Sequence, residues 1–250
     1  ERSWTFLTSN ILRLQYSFGE HNLNGLVGQE WYERHTRSSR IEMYDQIIAG
    51  ERNVGGFSKQ GDKTNPGVIP TGAERESGSF SVFSEVNYNY AGKYMASAAI
   101  RADGSSRFGK NNRWGYFPSA SLAWRISGED FFMKAKSLSF VDDLKLRASY
   151  GVTGNFQIGN YDHLSLMALD NYVLGTGNGQ LVNGYKPSTI KNEDLSWEKN
   201  AMVNVGVDLQ MFKGLLGLTV DYYNTNTSNM LLNVPVPHLT GYSTALMNIG

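Results

Sequence analysis

The sequence predicts an all-β chain, an antiparallel up-and-down transmembrane β-barrel of which part is present. Three observations predict it: apolar and polar residues alternate with period two, charges avoid one of the two resulting faces, and short and long connections take turns along the chain. The composition suits strands and turns. Charged residues are 18% of the 250, below the roughly 25% of soluble domains, while glycine (27) and aromatics (12%) are plentiful and prolines are six. A net charge of zero gives no footprint for nucleic-acid binding, and the lack of cysteine excludes a disulfide scaffold or thiolate metal site. No apolar run approaches the ~18 residues that a membrane helix needs, so only strands could cross lipid.

The segments follow in order. Residues 4 to 18, with Leu12, Leu14, Tyr16 and Phe18 in phase, and residues 23 to about 46 form an expected hairpin across 19 to 22. In residues 79 to 90, Phe80, Val82, Val86, Tyr88 and Tyr90 share one parity. After the turn at 91 to 93, Tyr94, Ala96, Ala98, Ile100 and Ala102 alternate with polar neighbours. Two further strands carry Pro118, Ala120, Leu122, Trp124 and Leu144, Leu146, Ala148, Tyr150, separated by 128 to 142, where Glu129 to Lys134 reads as a partly helical stretch. A hairpin then runs from Ala201 to Met211, through Phe212-Lys213-Gly214, and back from Leu216 to Tyr222. Eight strands and the start of a ninth near 244 are expected, each of about 10 to 17 residues, enough for the roughly 9 to 11 tilted residues that span a bilayer.

When each phase is fixed by its apolar residues alone, Glu85, Lys93, Arg101, Asp103, Arg125, Asp143, Lys145, Arg147, Asp208 and Asp221 all fall on the other parity. If charges ignored the pleat, the odds would be about 1 in 1,000. Arginine or lysine on the lipid face at the midplane costs roughly 2 to 4 kcal/mol. A dry sandwich core would exclude charge equally. Connection length separates the two readings: 19 to 22, 91 to 93 and 212 to 214 are short, whereas 47 to 78, 104 to 116, 154 to 195 and 224 to 244 are long. A membrane barrel sorts its loops by side in this way, and a Greek-key sandwich has no reason to. Tyr88, Tyr90 and Tyr94 flank a short turn and Trp114, Tyr116 and Phe117 a long loop, as aromatic girdles would. The N-terminus has no starting Met or signal segment and the chain stops inside an apolar pattern, so it reads as an internal fragment.

Particular words point further. Ile100-Arg101-Ala102-Asp103-Gly104-Ser105-Ser106-Arg107-Phe108-Gly109 followed by Asn112-Arg113-Trp114-Gly115-Tyr116-Phe117-Pro118-Ser119 resembles the SusC/RagA family of TonB-dependent outer-membrane transporters. The segments 144 to 155, 192 to 199 and 220 to 237, and the closing Thr240-Gly241-Tyr242 with Asn248-Ile249-Gly250, resemble that family in the same order, strongly over 78 to 250 and weakly before. The resemblance implies a 22-strand barrel, a plug absent from this chain, import powered through TonB, and a SusD-like surface lipoprotein over a glycan or peptide cargo. It also implies the multi-pass outer membrane of a Gram-negative bacterium, a Bacteroidetes member. On this reading residues 1–250 are a middle-to-late part of the barrel wall, with no transport by the fragment alone.

Catalytic and cofactor signals are weak. His21, His35, His163 and His238 stand in no ligand spacing, so no zinc site is expected, and His163 beside Asp162 lacks a nucleophile or third partner. The glycine run 175 to 179 follows no βαβ strand and reads as a loop, and no cofactor is called for. The chain is not read as an enzyme. Candidate cargo or lid contacts are the loop residues Phe156, Tyr161, Asp162, Asp170, Asn171, Tyr172 and Tyr185, because aromatics stack on sugar or peptide faces and polar groups bond to hydroxyls. Candidate lumen-facing wall residues are Arg101, Asp103, Arg125, Lys145 and Arg147, with Arg101 and Arg107 expected to pair with Asp103 or other wall carboxylates. Arg34, His35, Arg37 and Arg40 form a small basic cluster, open to solvent or lipopolysaccharide. The alternative reading is a surface-attached β-rich glycan-binding or adhesin module whose apolar face packs on a second sheet.

Overall fold

A computed structural model describes residues 1–40, 44–46, 57–59, 71–135, 138–175 and 180–250. The strands are β1 (Arg2–Phe18), β2 (His21–Arg40), β3 (Tyr44–Gln46), β4 (Phe57–Lys59), β5 (Thr71–Tyr90), β6 (Tyr94–Ser105), β7 (Trp114–Arg125), β8 (Val141–Asn155), β9 (Met167–Leu174), β10 (Gln180–Pro187), β11 (Glu198–Met211), β12 (Leu216–Ser228), β13 (Met230–Pro235) and β14 (Thr244–Ile249). Eight of them form one antiparallel sheet in the order β1-β2-β5-β6-β7-β8-β11-β12, and β3/β4, β9/β10 and β13/β14 are separate hairpins. Neighbours in the sheet are neighbours along the chain once those hairpins are set aside. This is the up-and-down wall, open at β1 and β12.

The short connections all lie at one end and are level with each other: Ala91 N–H donates to the Glu20 carbonyl at 2.8 Å, and Arg125 N–H to the Lys93 carbonyl at 2.7 Å. All three turn through left-handed backbone, at Gly19, Ala91-Gly92 and Phe212-Lys213-Gly214, which reverses the chain in the sense that twisted strands require. The expected partial helix is present as α1 (Asp130–Lys134), also at this end. The opposite end is uneven. β2 and β5 are 20 residues long and β6 and β7 only 12.

Register fixes the faces. Tyr94 lies opposite Trp124, Trp124 opposite Leu146, Leu146 opposite Val207 and Val207 opposite Val220, and the next rows run Ala96, Leu122, Ala148, Val205, Tyr222 and Ala98, Ala120, Tyr150, Val203. The apolar parities of separate strands therefore merge into one surface. Its side chains are open: Leu12 is 64% and Leu122 65% exposed. Among the described residues no second layer covers this face, which a sandwich would require.

Three sequence expectations change. β5 begins at Thr71, inside the expected loop 47 to 78, because Thr71 to Gly78 continue the backbone ladder against Arg40 to Glu33 although their side chains do not alternate; residues 47–56 and 60–70 of that loop lie outside the described residues, as does most of the glycine run 175 to 179. The loop 154 to 195 contains the β9/β10 hairpin, and the loop 224 to 244 contains the end of β12 and the whole of β13, because backbone pairing runs on past the alternating residues. The expected ninth strand, β14, does not extend the wall. Asn229, at φ 54, turns the chain back after β12, so β13 is the nearest strand edge and takes β14 as partner, Met230 opposite Ile249.

Candidate functional site

The charged residues of the wall meet on the face opposite the apolar one. Arg101, Asp103, Arg125, Lys145 and Arg147 share its parity across β6, β7 and β8. Arg101 Nε donates to Asp103 Oδ1 at 2.7 Å and its Nη2 to Ser81 Oγ at 3.0 Å, with Glu30 3.7 Å away and the guanidinium 5.4 Å from the Phe83 ring centre. Further round, Arg147 bridges two strands, from Nε to Asp208 at 2.8 Å and from Nη2 to Asp221 at 3.1 Å, with Lys145 4.0 Å from Asp208. That bridge passes over Gly206, where a Cβ would lie 2.4 Å from Asp221 Oδ1. Arg125 Nε donates to Asp143 at 2.8 Å. Each of these cations has an opposite charge within reach, as half-exposed charges on a shared wall require.

Above the polar face, at the long-loop end, the loops make a core of their own. Phe108, Leu195, Trp197 and Phe117 are buried together, with Phe156 tilted against Trp197 at 5.1 Å. Phe117 lies over Gly154, where any Cβ would fall 2.1 Å from the ring, so glycine is required for that approach. Polar bonds tie the same segments: Trp197 Nε1 donates to the Arg113 carbonyl at 3.2 Å, Asn111 and Asn112 donate to Asp194, and Asn248 Nδ2 donates to the Ser196 and Asn229 carbonyls at 2.8 Å. The words 105 to 117 and 192 to 197, read separately in the sequence, are two sides of one interface. Arg107 departs from the expected carboxylate pairing. It lies beyond the end of β6 and Asp103 is already taken by Arg101, so its guanidinium stands 5.4 Å over the Phe156 ring and 3.5 Å from the Phe156 carbonyl.

The candidate loop contacts are spread rather than convergent. Phe156 belongs to the loop core, and Asp162 accepts the Gly159 N–H at 2.6 Å within a turn. The Tyr161 hydroxyl accepts from the Glu76 N–H at 3.0 Å, taking the place on the β5 edge that β6 leaves by ending at Ser105. On the β9/β10 hairpin Asp170 pairs with Lys186 at 3.4 Å, and Asn171 is opposite Asn183. Tyr172 and Tyr185, both exposed, point to opposite faces of that hairpin, since Tyr185 is opposite Leu169. His35, not expected to ligate, meets Glu76 through Nε2, lies 4.0 Å from Glu74 and stacks on Trp4, an exposed pairing on the extended parts of β2 and β5.

Aromatic side chains bound the apolar face at both ends. At the short-turn end Phe18, His21, Tyr90, Tyr94 and Trp124 form a chain of ring contacts. At the other, Trp31, Phe80 and Trp114 stand together, Phe80 meeting Trp114 edge to face at 6.2 Å. From Phe80 to Tyr90 β5 takes ten residue steps, which at ~3.3 Å each and a tilt near 45° give about 23 Å, close to the ~25 Å apolar band of outer-membrane barrels. Outside the wall strands, Glu129 accepts bonds from the Tyr94 hydroxyl and Trp124 Nε1, with Lys93 Nζ 3.6 Å away. The Tyr94 bond above all, then that of Trp124, holds its carboxyl below the usual glutamate range. Trp31, Glu33 and Glu76 drew no attention in the sequence, because nothing in their own segments says that Tyr161, 85 residues beyond Glu76, comes to lie beside them.

The model of the TonB dependent receptor-like β-barrel family matches residues 2–250. TonB-dependent receptor P39 of Formosa agariphila is 36% identical over 252 residues, covering 99% of this chain and 22% of its own length. TonB-dependent receptor SusC of Bacteroides thetaiotaomicron is 35% identical over 267 residues, covering 97% of this chain and 26% of itself. The solved structure of the RagAB peptide transporter superposes with a TM-score of 0.80 at 29% identity, over 99% of this chain and 26% of that one. The chain thus spans about a quarter of the length of these relatives. An eight-stranded up-and-down wall, apolar on one face and charged on the other, and a family match from end to end lead to one conclusion: this chain belongs to the TonB-dependent receptor β-barrel family.

Proposed function

We propose that the intact protein is an outer-membrane nutrient importer, and that this chain forms part of its barrel wall together with long loops on the outer side. The single observation that carries the reading is the division of the wall, with an uncovered apolar face between two aromatic girdles and a face of paired charges behind it. The apolar face meets acyl chains, and the charged face lines an aqueous interior. The short turns are periplasmic, and the loop core stands over the outer mouth.

The SusC and RagAB likenesses support a TonB-powered cycle. An oligosaccharide or peptide is captured at the loops under a SusD-like lipoprotein and released inward when TonB acts on a plug. Tyr172 and Tyr185, exposed on the β9/β10 hairpin, offer faces to cargo or lid, and Phe156, Tyr161, Asp162, Asp170 and Asn171 hold the loops in shape. The wall does no covalent chemistry on the cargo.

The test is deletion of the gene followed by growth on single nutrient sources. Growth should fail on one class of oligosaccharide or peptide and be normal on its monomers, with the protein recovered only in detergent from the outer-membrane fraction. Unchanged growth on every oligosaccharide and peptide, or recovery without detergent, overturns the reading.

A further inference from the structure

Beyond the girdle at the long-loop end, where β2 and β5 run on past the apolar band, the outward face carries three side chains that the wall does not explain. His35 lies opposite Glu76 in the β2/β5 register, and Glu74 stands two residues from Glu76, the spacing that keeps both carboxylates on one face. His35 Nε2 meets Glu76, Nδ1 lies 4.0 Å from Glu74, and one ligand atom from each of the three lies within 4.8 Å of the others. Among the described residues no other three histidine, cysteine or acidic side chains come so close. His35 and the two glutamates are far apart in the sequence, so no local spacing announces them. The ring is held from a third strand: Trp4 of β1, opposite His35, stacks on it at 5.2 Å with the planes 2° apart. The imidazole is largely covered, whereas the two carboxylates are more than half exposed and can turn.

We propose that His35, Glu74 and Glu76 bind one divalent transition-metal ion of the zinc class, which clasps β5 to β2 on the tall flank of the rim. Two surface carboxylates alone select no ion. The imidazole does select, because nitrogen beside carboxylate oxygen suits zinc and its neighbours, whereas calcium and magnesium take oxygen donors. Around a tetrahedral ion ~2.1 Å from each donor, the donors stand about 3.4 Å apart. The group is near that spacing and closes by rotation of the two exposed glutamates, with the stacked ring as the fixed point. A neutral imidazole and two carboxylates also cancel the charge of a dication. Three protein donors leave the fourth position to water. The link falls where the wall lacks one, since Thr71 to Gly78 keep to β2 by backbone pairing without an alternating apolar face. The three side chains share the outward parity, so the ion acts on the shape of the rim and not on cargo.

The inference stands on the register of β1, β2 and β5 and goes beyond the importer reading, which survives its failure. The intact protein is purified in detergent without a histidine tag, stripped with chelator and titrated with zinc chloride by calorimetry. Wild type is compared with His35→Gln, with Glu74→Gln and Glu76→Gln combined, and with Glu33→Gln as a control on the same face, each first shown to be folded by heat-modified gel mobility. Wild type and Glu33→Gln should hold one zinc ion that His35→Gln and the double variant bind at least about tenfold more weakly. Calcium at equal concentration should leave that ion in place. Protease should cut the wild-type rim within Thr71 to Gly78 more slowly in zinc than in chelator, a difference that His35→Gln loses. Equal zinc binding by wild type and His35→Gln or the double variant, an equal loss in Glu33→Gln, or displacement by equal calcium overturns the inference. So does zinc protection that is missing from wild type or persists in His35→Gln.

Discussion

The wall and the loop core are built from the same chain by opposite means. In the wall, strands are joined by long backbone ladders, and the large apolar side chains are left open, Leu122 at 65% exposure and Val220 at 56%. In the loop core, backbone pairing is short, and the side chains close completely, Phe108 and Leu195 at 0%. The difference teaches where each region obtains its burial. Lipid supplies it for the wall, so the wall tolerates exchange of one apolar residue for another; protein supplies it for the loops, so they depend on individual rings.

The most severe way to break the comparison is to remove the ring that joins the loops. Trp197→Ala deletes the contacts to Phe108, Phe117 and Phe156 and the bond to Arg113. It should cost the loops about 3 to 5 kcal/mol. The expected sign is fast cleavage of the outer loops by protease on whole cells, with the barrel still resistant and still heat-modifiable.

Next comes a charge on either face of one strand. Ala120→Arg on the apolar face, near the middle of the band, should cost roughly 2 to 4 kcal/mol, whereas Ser121→Arg one residue on, facing the polar side, should cost about 0.5 kcal/mol or less. Urea unfolding in lipid vesicles measures both. Equal costs would mean that the two faces do not see different surroundings.

A smaller effect tests the polar face itself. Arg147→Met leaves Asp208 and Asp221 facing each other without their bridge. Because all three side chains are about a third exposed, the loss should be a fraction of that of the lipid-face arginine in the same unfolding experiment. Asp208→Asn in the Arg147→Met background should recover part of it.

The smallest effect is a pH dependence at the short-turn end. The Glu129 carboxyl is held below its ordinary 4.5 by the bonds from Tyr94 and Trp124. A depressed acid stabilises the fold above its unfolded value and loses that contribution as pH falls through the folded one. Trp124 fluorescence in the intact barrel should change below about pH 4.5, and in Glu129→Gln it should be flat over that range.

The wall was legible in the sequence because lipid imposes one simple rule on every strand. Period-two alternation located β6, β7, β8, β11 and β12, and register then joined their apolar sides as the parities required. Where the rule lapses, so does the reading. Thr71 to Gly78 rise beyond the apolar band, so nothing forces their side chains to alternate, and only backbone pairing to β2 makes them strand. The β14 segment alternates, yet alternation does not name a partner, and β13 takes it. The loop core was legible in words but not in contacts: Asn111 reaching Asp194, or His163 Nδ1 donating to the Arg107 carbonyl, are meetings of distant segments that no local pattern encodes.

The uneven rim has a consequence of its own. With their turns level at the bottom, 20-residue strands stand eight residues taller than 12-residue neighbours, which at ~3.3 Å per residue and a 45° tilt is about 19 Å of extra height. Along this stretch of wall the rim therefore rises in a step on the β2/β5 flank, and it is against that step that Tyr161 and the loop core lean.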